Sequence, residues 1–157
     1  MRVGQGYDVH PFEAGRALVL GGVLFEGETG LAGHSDGDAL THAVIDAILG
    51  AAALGDIGTH FPSADPWTKG ADSIDLLKQV TKLVAAAGCR VVNVDATVIA
   101  ERPRMTPRVP EMRQRLALAI GIDVGAVSVK ATTTDGLGAI GRAEGIAVQA
   151  IALVEKA

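Results

Sequence analysis

Glycine is the residue type that most constrains how this chain can fold. The 157 residues include 20 glycines, whereas aromatic side chains make up only 3% of the sequence. Without large rings, the core must be filled by Val, Ile, Leu and Ala, with backbones packed close together. A chain of this length can bury a sizeable core without covalent cross-links. We therefore expect residues 1–157 to form a single domain.

Charge and cysteine content argue against several classes of protein. The 14 basic and 18 acidic side chains give a net charge of −4, and no Lys/Arg cluster could neutralise a row of phosphates, so nucleic acid is not an expected partner. Cys89 is the single cysteine, which excludes an intrachain disulfide. The sequence shows neither the apolar region of a signal peptide nor an apolar run of 18 residues. We therefore expect a cytoplasmic protein that does not enter the membrane.

Hydrophobic periodicity predicts a β-rich opening followed by alternating helices and strands. The dipeptide Gly21-Gly22 predicts a tight hairpin, and Ser35 or Asp36 is the expected cap of the first helix. Together these elements indicate an α+β fold with a mixed, four-stranded main sheet, helices on one face and a small N-terminal hairpin. Strands are predicted at 2–9, 17–20, 23–25, 90–101, 126–134 and 146–154, and helices at 38–53, 73–87 and 107–120.

Three side chains near the start of the chain could bind a metal ion. Asp8 and His10 are two residues apart on a predicted strand, so they share one face, and His42 lies on the first predicted helix. One carboxylate and two imidazoles, with no cysteine nearby, are typical of a catalytic zinc ion that keeps one vacant position. An Asp-x-His pair also recurs by chance, so these residues alone leave open a polar strand end and a surface histidine.

The first predicted helix carries a polar column in otherwise apolar surroundings. Asp38 lies one turn before His42 and Asp46 one turn after it. A metal-bound histidine needs an acceptor for its second ring nitrogen, and either aspartate could supply it. We expect this column to line a cleft, although a solvated helix face has the same pattern.

Two further segments could contact phosphate. His34 lies in the polar, glycine-flanked segment 33–37, which leads into a helix N-terminus, where free backbone N–H groups attract anions. Thr132, Thr133 and Thr134 end a predicted strand and precede Asp135, offering hydroxyl groups and then a carboxylate. An exposed loop histidine and ordinary strand threonines are the alternatives. The glycine-rich segment 135–142 lacks the Gly-Lys-Ser/Thr ending of a P-loop.

Several sequence blocks, taken together, resemble the 2-C-methyl-D-erythritol 2,4-cyclodiphosphate synthase family nearly from end to end. Their common order and spacing make the resemblance far more specific than any single block. The blocks are Gly6-Tyr7-Asp8-Val9-His10, Gly33-His34-Ser35-Asp36-Gly37-Asp38, His42-Ala43-Val44-Ile45-Asp46-Ala47, Gly55-Asp56-Ile57-Gly58, Phe61-Pro62, Lys69-Gly70-Ala71-Asp72-Ser73, Asn93-Val94-Asp95, Val129-Lys130-Ala131-Thr132-Thr133-Thr134, Gly141-Arg142 and Glu144-Gly145.

The resemblance implies a chorismate-mutase-like homotrimer with active sites at subunit interfaces. The implied reaction cyclises 4-diphosphocytidyl-2-C-methyl-D-erythritol 2-phosphate and releases CMP, in the non-mevalonate isoprenoid pathway. It also implies Zn²⁺ at Asp8, His10 and His42, which would hold the β-phosphate as a Lewis acid. His34 and Thr133 would be catalytic, stabilising charge that develops on the phosphates. Mg²⁺ or Mn²⁺ is implied at Asp135, where the family more usually has Glu.

The resemblance extends to the substrate-binding residues. Gly136, Ala139 and Ala143 depart from the residues common in the family. Arg142 and Glu144 match residues that line a central cavity between subunits. The implied binding residues are Asp8, Val9, His10, His34 and Ser35 near the metal; Asp56, Ile57, Gly58, Phe61, Pro62, Ser63, Ala64 and Asp65 for methylerythritol; Ala100, Glu101, Arg102, Pro103, Arg104, Met105, Thr106, Ala131, Thr132, Thr133, Thr134 and Asp135 for cytidine and phosphate; and Ala139 and Arg142.

Two other functions are compatible with the same residues. A zinc-dependent phosphohydrolase would use the metal ligands to activate water. A trimeric isoprenoid-diphosphate-binding protein without turnover would use Arg142 and the glycine-rich segment. Incorporation of solvent oxygen distinguishes the first, and ligand binding that is insensitive to Asp8→Ala distinguishes the second.

Overall fold

The computed structural model describes all of residues 1–157 as an α+β fold. Short 3₁₀ turns at Pro66–Thr68, Thr106–Arg108 and Val124–Ala126 connect some of the elements. The strands are β1 (Arg2–Leu20), β2 (Val23–Leu31), β3 (Cys89–Ile99), β4 (Val127–Thr132) and β5 (Gly145–Lys156), and the helices are α1 (Ala39–Ala52), α2 (Ile57–His60), α3 (Ser73–Ala86), α4 (Val109–Ile120) and α5 (Gly138–Gly141).

The sheet has five strands in the order β2-β1-β5-β3-β4. Only β3 and β4 are parallel; the other neighbouring pairs are antiparallel. The sheet is therefore mixed, as predicted, but the expectation of a four-stranded main sheet beside a separate hairpin is wrong. The reason is that β1 is one strand of 19 residues. It pairs with β5 over residues 2–11 and with β2 from Phe12 onward, so the hairpin continues the main sheet.

The hairpin between β1 and β2 turns at Gly21 and Gly22, as predicted. Leu20 pairs with Val23, and both glycines adopt positive φ values, 58° and 71°. Two consecutive residues with positive φ form the type of turn that matches the twist of a hairpin, and glycine adopts that conformation without steric cost. The turn is therefore encoded locally by this dipeptide.

The helices pack on one face of the sheet. α1 lies against β1 and β5, α3 lies against α1, α4 and β3, and α4 also contacts β4. These contacts enclose a core of 38 buried residues, most of them Ala, Val, Leu and Ile. The opposite face leaves apolar side chains exposed, including Val3, Tyr7 and Ile151. The prediction of helices on one face is confirmed.

The close backbone packing expected from the glycine content occurs between β1 and α1. A Cβ atom on Gly4 would lie 2.1 Å from the carbonyl oxygen of Ala47, far inside van der Waals contact. Burial alternates along β1, with Gly4 and Gly6 buried and Val3, Gln5 and Tyr7 exposed. The helix therefore rests directly on the strand backbone.

Several element boundaries differ from prediction. The four-residue helices α2 and α5 were not expected, because one turn is too short to show helical periodicity. α4 begins at Val109 after a 3₁₀ turn, and β4 ends at Thr132, which leaves Thr133 and Thr134 beyond the strand. No helix in the structure combines the length and apolar character needed to cross a membrane.

Candidate metal centre and active-site cleft

Asp8, His10 and His42 converge at one end of the β1–α1 packing. One ligand atom from each lies within 4.8 Å of the others. Asp8 Oδ2 is 2.8 Å from His10 Nε2 and 3.1 Å from His42 Nδ1. Two atoms bound to one zinc ion at tetrahedral angles lie about 3.4 Å apart, so small adjustments would place all three around an ion. The donor set and its spacing therefore fit a zinc ion.

The β1 pleat and the helix position explain this convergence. Residues 4, 6, 8 and 10 share one face of β1, so the same face that packs on α1 carries Asp8 and His10 beyond the two glycines. His42 lies in the first turn of α1, next to Ala43, whose carbonyl oxygen faces Gly6. The close approach of α1 to β1 at Gly6 therefore brings His42 near Asp8 and His10.

Burial and hydrogen bonding tune the charges of this cluster. Burial opposes ionisation of Asp8, but hydrogen bonds and favourable charge interactions with His10 and His42 outweigh it and lower the pKa of Asp8 to about 2. The hydrogen bond to Asp8 in turn raises the pKa of His10 above its ordinary value, despite burial. About one fifth of the Asp8 and His10 side chains remains exposed. The cluster is anionic at Asp8 and accessible from one side, as a cation site requires.

The predicted polar column on α1 is wrong in two respects. Asp38, not Ser35 or Asp36, caps α1 and is fully buried, accepting hydrogen bonds from the backbone of Gly21, Gly22 and Thr41. Asp46 accepts the backbone N–H of Ile57. Neither carboxylate hydrogen-bonds the His42 ring, whose partners are Asp8, Ser35 and Ser73. Asp38 departs from the column because a capping residue precedes the helix and lacks helical dihedral angles.

The second ring nitrogen of His42 contacts two serines that sequence reasoning did not connect with it. His42 Nε2 lies 2.9 Å from Ser73 Oγ and 3.0 Å from Ser35 Oγ. Ser73 is the first residue of α3 and is fully buried. No local signal could have identified this contact, because 31 residues separate Ser73 from His42.

Asp8, His10 and His42 line a cleft of about 270 Å³. His34 and Ser35 line the same cleft. Arg16 donates hydrogen bonds to the carbonyl oxygens of Gly33 at 2.6 Å and Ser35 at 2.5 Å, the two residues that flank His34. The remaining lining residues are Ile57, Gly58, Phe61, Ser63, Thr68 and Leu76.

Other residues predicted for the methylerythritol stretch surround this cleft without lining it. Asp56 caps α2 by accepting the Thr59 N–H at 2.8 Å, and hydrogen bonds from Thr59 lower the pKa of Asp56. Pro62 and Asp65 accept hydrogen bonds from the Thr68 hydroxyl. Val9 is exposed on the opposite face of β1, and Ala64 is exposed in the loop. Except for Val9, which lies on β1, these residues belong to the cap of α2 or to the loop between α2 and α3.

A second cavity, of about 260 Å³, contains most residues predicted to bind cytidine. It shares no lining residue with the metal cleft. Arg102 points elsewhere, with its guanidinium 5.0 Å from the centre of the Phe12 ring. The lining residues are Ala100, Glu101, Pro103, Arg104, Met105, Thr106, Ala131, Thr132 and Thr133.

The segment after β4 is held by Glu101. Its Oε1 accepts the backbone N–H of Thr134 at 3.0 Å and of Gly136 at 3.4 Å, and the Thr134 hydroxyl also lies within reach. Asp135 has a positive φ of 53° and exchanges hydrogen bonds with the Thr133 hydroxyl. No group of three ligating side chains surrounds Asp135. A cation there would need further ligands from water, a substrate or another chain.

The remaining predicted residues lie outside both cavities. Ala139 is exposed within α5. Arg142 follows this helix and pairs with Glu144, with 2.6 Å between Arg142 Nε and Glu144 Oε1. One chain therefore does not bring Ala139 or Arg142 to the metal cluster.

Comparison with known proteins decides the family. The sequence model of the YgbB family matches residues 1–155. The chain belongs to this family. Curated relatives are 2-C-methyl-D-erythritol 2,4-cyclodiphosphate synthases: the protein from Alkaliphilus oremlandii is 55% identical over 157 residues, covering 100% of both chains. The Clostridium perfringens enzyme is 54% identical over 156 residues, covering 99% of this chain and 100% of the relative.

Solved structures from this synthase family share the fold. The bifunctional IspDF from Campylobacter jejuni superposes with a TM-score of 0.96 at 42% identity, covering 99% of this chain and 42% of that longer chain. IspF from Plasmodium falciparum, in complex with CDP, superposes with a TM-score of 0.86 at 33% identity, covering 99% of this chain and 96% of that chain. The resemblance that the motifs indicated is therefore confirmed.

Proposed function

We propose that this chain cyclises 4-diphosphocytidyl-2-C-methyl-D-erythritol 2-phosphate to 2-C-methyl-D-erythritol 2,4-cyclodiphosphate and releases CMP. The convergence of Asp8, His10 and His42 on a cleft, in a chain of the synthase family, supports this proposal most strongly. An oxygen of the 2-phosphate bonds to the β-phosphorus, and the bond from that phosphorus to the bridging oxygen breaks. CMP leaves with that oxygen and its electron pair. Because the substrate supplies the nucleophile, no side chain forms a covalent bond.

Asp8, His10 and His42 are the residues that would hold zinc. Bound there, the ion would supply a Lewis acid for a substrate phosphate oxygen and keep one position open for it. The low pKa of Asp8 keeps its carboxylate ionised at neutral pH. His42 Nδ1 and His10 Nε2 face this carboxylate, so the chain presents its donors before the ion arrives.

Two residues are proposed to stabilise charge on the phosphates. His34 is exposed beside the metal ligands, where its ring can donate a hydrogen bond to a phosphate oxygen. The Thr133 hydroxyl lies at the second cavity, within 3.2 Å of Asp135. Asp135 would hold Mg²⁺ or Mn²⁺, cations that commonly take one or two carboxylates and complete their shell with phosphate and water.

The two cavities suit opposite ends of the substrate. Ile57, Phe61 and Leu76 provide an apolar wall beside the metal cluster, suited to the carbon skeleton of methylerythritol. The second cavity, lined by residues 100, 101 and 103–106, would hold the cytosine ring. The CDP bound to the P. falciparum relative supports assigning a cytidine diphosphate to this family's site.

We also propose that the complete site forms between chains of a homotrimer. Within one chain the two cavities are separate, and the uncovered face of the sheet exposes Val3, Tyr7 and Ile151. Mixing two inactive variants tests this arrangement. If a site combines the cleft of one chain with the second cavity of another, co-assembly of His42→Ala and Thr133→Ala chains restores some intact sites and partial activity. If one chain holds a whole site, mixing restores none.

The reaction itself is tested with purified protein, Zn²⁺ and Mg²⁺. We expect equimolar CMP and cyclic diphosphate from the cytidylated substrate, and activity at background level for His42→Ala with the oligomer intact. In ¹⁸O-labelled water, the expected products carry no label. Labelled phosphate products would instead identify a phosphohydrolase that uses metal-bound water, and ligand binding without turnover would identify a carrier.

A further inference from the structure

The far side of the His42 ring is held by a partly buried hydrogen-bond chain. Its first step joins His42 Nε2 to Ser73 Oγ at 2.9 Å. Ser73 is fully buried at the start of α3, so water does not supply alternative partners for its hydroxyl group. The contact links the helix that carries a metal ligand to a second helix.

The second step joins Ser73 to Asp36. The Ser73 hydroxyl donates to Asp36 Oδ1, and the Ser73 backbone N–H donates to Asp36 Oδ2 at 3.0 Å. Because a carboxylate only accepts, the Ser73 hydroxyl hydrogen is directed to Asp36. The Ser73 oxygen then offers only lone pairs to His42. The ring must therefore donate from Nε2. Nδ1 faces the Asp8 carboxylate, which also accepts a hydrogen bond in the metal-free chain, and a metal ion bound beside Asp8 would take the Nδ1 lone pair in place of that hydrogen.

Ser35 provides a natural comparison at the same ring nitrogen. Its hydroxyl oxygen lies 3.0 Å from His42 Nε2 and accepts the Gly37 N–H at 3.3 Å, but no carboxylate accepts its hydrogen. Ser35 alone could donate to Nε2 and favour the opposite tautomer, with the hydrogen on Nδ1. The Asp36–Ser73 pair opposes that tautomer, because two lone pairs would then face each other across 2.9 Å.

We propose that Ser73 and Asp36 are positioning residues that hold His42 in the Nε2-protonated form, with Nδ1 free to bind the metal. This inference rests on the proposed metal site. It adds Ser73, which contacts His42, and Asp36, which contacts Ser73. Residues that orient a metal-bound histidine through its second nitrogen commonly affect metal affinity by about 10–100-fold. The same range is expected for Ser73→Ala, whereas Ser35→Ala, which removes a hydroxyl at nearly the same distance, should change affinity by less than about 3-fold.

Metal affinity and histidine tautomer test the proposal without any assay of turnover. Zn²⁺ and Co²⁺ dissociation constants are measured by chelator competition for the wild type, Ser73→Ala, Ser35→Ala and Asp36→Asn. ¹⁵N NMR of the Zn²⁺-loaded proteins reports which His42 nitrogen carries hydrogen and which one binds the ion. We expect hydrogen on Nε2 and the ion on Nδ1 in the wild type, and weaker metal binding with a mixed or reversed arrangement in Ser73→Ala and Asp36→Asn.

The outcomes separate this inference from the metal site on which it rests. A wild-type chain that binds neither ion overturns both. A chain that binds them equally well with and without the Ser73 hydroxyl, or whose Zn²⁺-loaded His42 carries hydrogen on Nδ1, overturns only the positioning role. Asp72→Ala removes the cap of the same helix and controls for general loosening of α3, since Asp72 bonds Ile74 N–H and does not contact His42. Equal loss of affinity in Asp72→Ala and Ser73→Ala would also overturn the role.

Discussion

Gly6 of β1 and Ala43 of α1 lie so close together that a Cβ atom on Gly6 would be 1.9 Å from the Ala43 carbonyl oxygen. Neither partner can yield easily, because the contact is between two backbones. His42, which directly precedes Ala43, is a proposed metal ligand. Asp8 follows Gly6 on the same face of the strand. The packing distance between strand and helix therefore sets the distance between the ligands.

Gly6→Ala should damage stability and metal binding together. The added methyl group forces α1 away from β1, which we expect to cost about 3 kcal/mol or more of unfolding free energy and to weaken Zn²⁺ binding at least tenfold. Denaturant unfolding and chelator competition measure the two effects. Gly50→Ala is the matched control: its new Cβ would meet only the Gln5 carbonyl oxygen at 3.9 Å, so it should leave metal affinity unchanged. Normal metal affinity in Gly6→Ala would contradict this account.

Asp38→Ala should be among the most destabilising substitutions in the chain. It leaves the backbone donors of Gly21, Gly22 and Thr41 without their acceptor in a buried site, at about 1–3 kcal/mol for each unsatisfied group. We expect a loss of about 3 kcal/mol or more by urea denaturation. Asp72→Ala removes the exposed cap of α3 and should cost only about 1 kcal/mol. Similar losses for the two caps would show that the link to the hairpin turn contributes little.

Arg16→Ala should reduce turnover while sparing the metal. Arg16 holds the carbonyl oxygens on both sides of His34, so its loss leaves that residue without a fixed position. Misplacement of a catalytic group by about 1 Å can cost as much as 100-fold, and we expect about a tenfold fall in kcat. Steady-state kinetics with metal-saturated protein measure the fall.

Two variants test whether the Arg16 effect acts through these carbonyls. Glu13→Ala removes only the 3.5 Å ion pair of Arg16 and should keep kcat within about twofold. Arg16→Lys supplies a charge without the guanidinium fork and should fall between the wild type and Arg16→Ala. A kcat of Arg16→Ala equal to that of the wild type would exclude the positioning effect.

The Asp95–Lys130 pair should contribute stability that disappears in acid. The hydrogen bond from Lys130 lowers the pKa of Asp95 below its ordinary value. Because the folded pKa lies below the unfolded value, the contribution is present above about pH 4 and is lost as the pH falls through the folded pKa. Both side chains are about half exposed, so we expect less than about 1 kcal/mol.

Unfolding of wild type and Asp95→Asn at pH 7 and pH 3 measures this contribution. The wild type should be slightly more stable at pH 7, and the difference should shrink at pH 3. Lys130→Met should reduce the pH dependence of the difference, since the carboxylate then keeps only the weaker hydrogen bond from Ser128. A difference that grows in acid would reverse the assigned sign.

Local patterns predicted the parts of the site that depend on short-range geometry. Strand alternation placed Asp8 and His10 on one face, and the Gly21-Gly22 dipeptide located the hairpin turn. The position of His42 relative to them depended on how closely α1 approaches β1. Composition indicated close packing in general terms, but only the structure identifies Gly4 and Gly6 as the positions where it occurs.

Long-range contacts account for what the sequence did not predict. Helical spacing put Asp38 on the face of His42, yet its carboxylate is drawn to the hairpin turn 16 and 17 residues earlier. Ser73 looks like an ordinary helix start, and its contact with His42 arises only when α3 packs on α1. Polar and glycine residues interrupt the periodicity of β1, so the sequence pattern predicts two strands there. In the structure, pairing with β5 and then with β2 makes β1 one continuous strand.

The alternation of Gly4, Gly6, Asp8 and His10 on one face of β1 also restricts how this gene can change in length. An insertion or deletion of one codon would exchange the faces and turn Tyr7 or Val9 toward α1. A change of two codons would restore the faces but displace the ligands by about 7 Å along the strand. Loops on the surface can lengthen during evolution, whereas descendants that keep Asp8, His10 and His42 together must retain this interval.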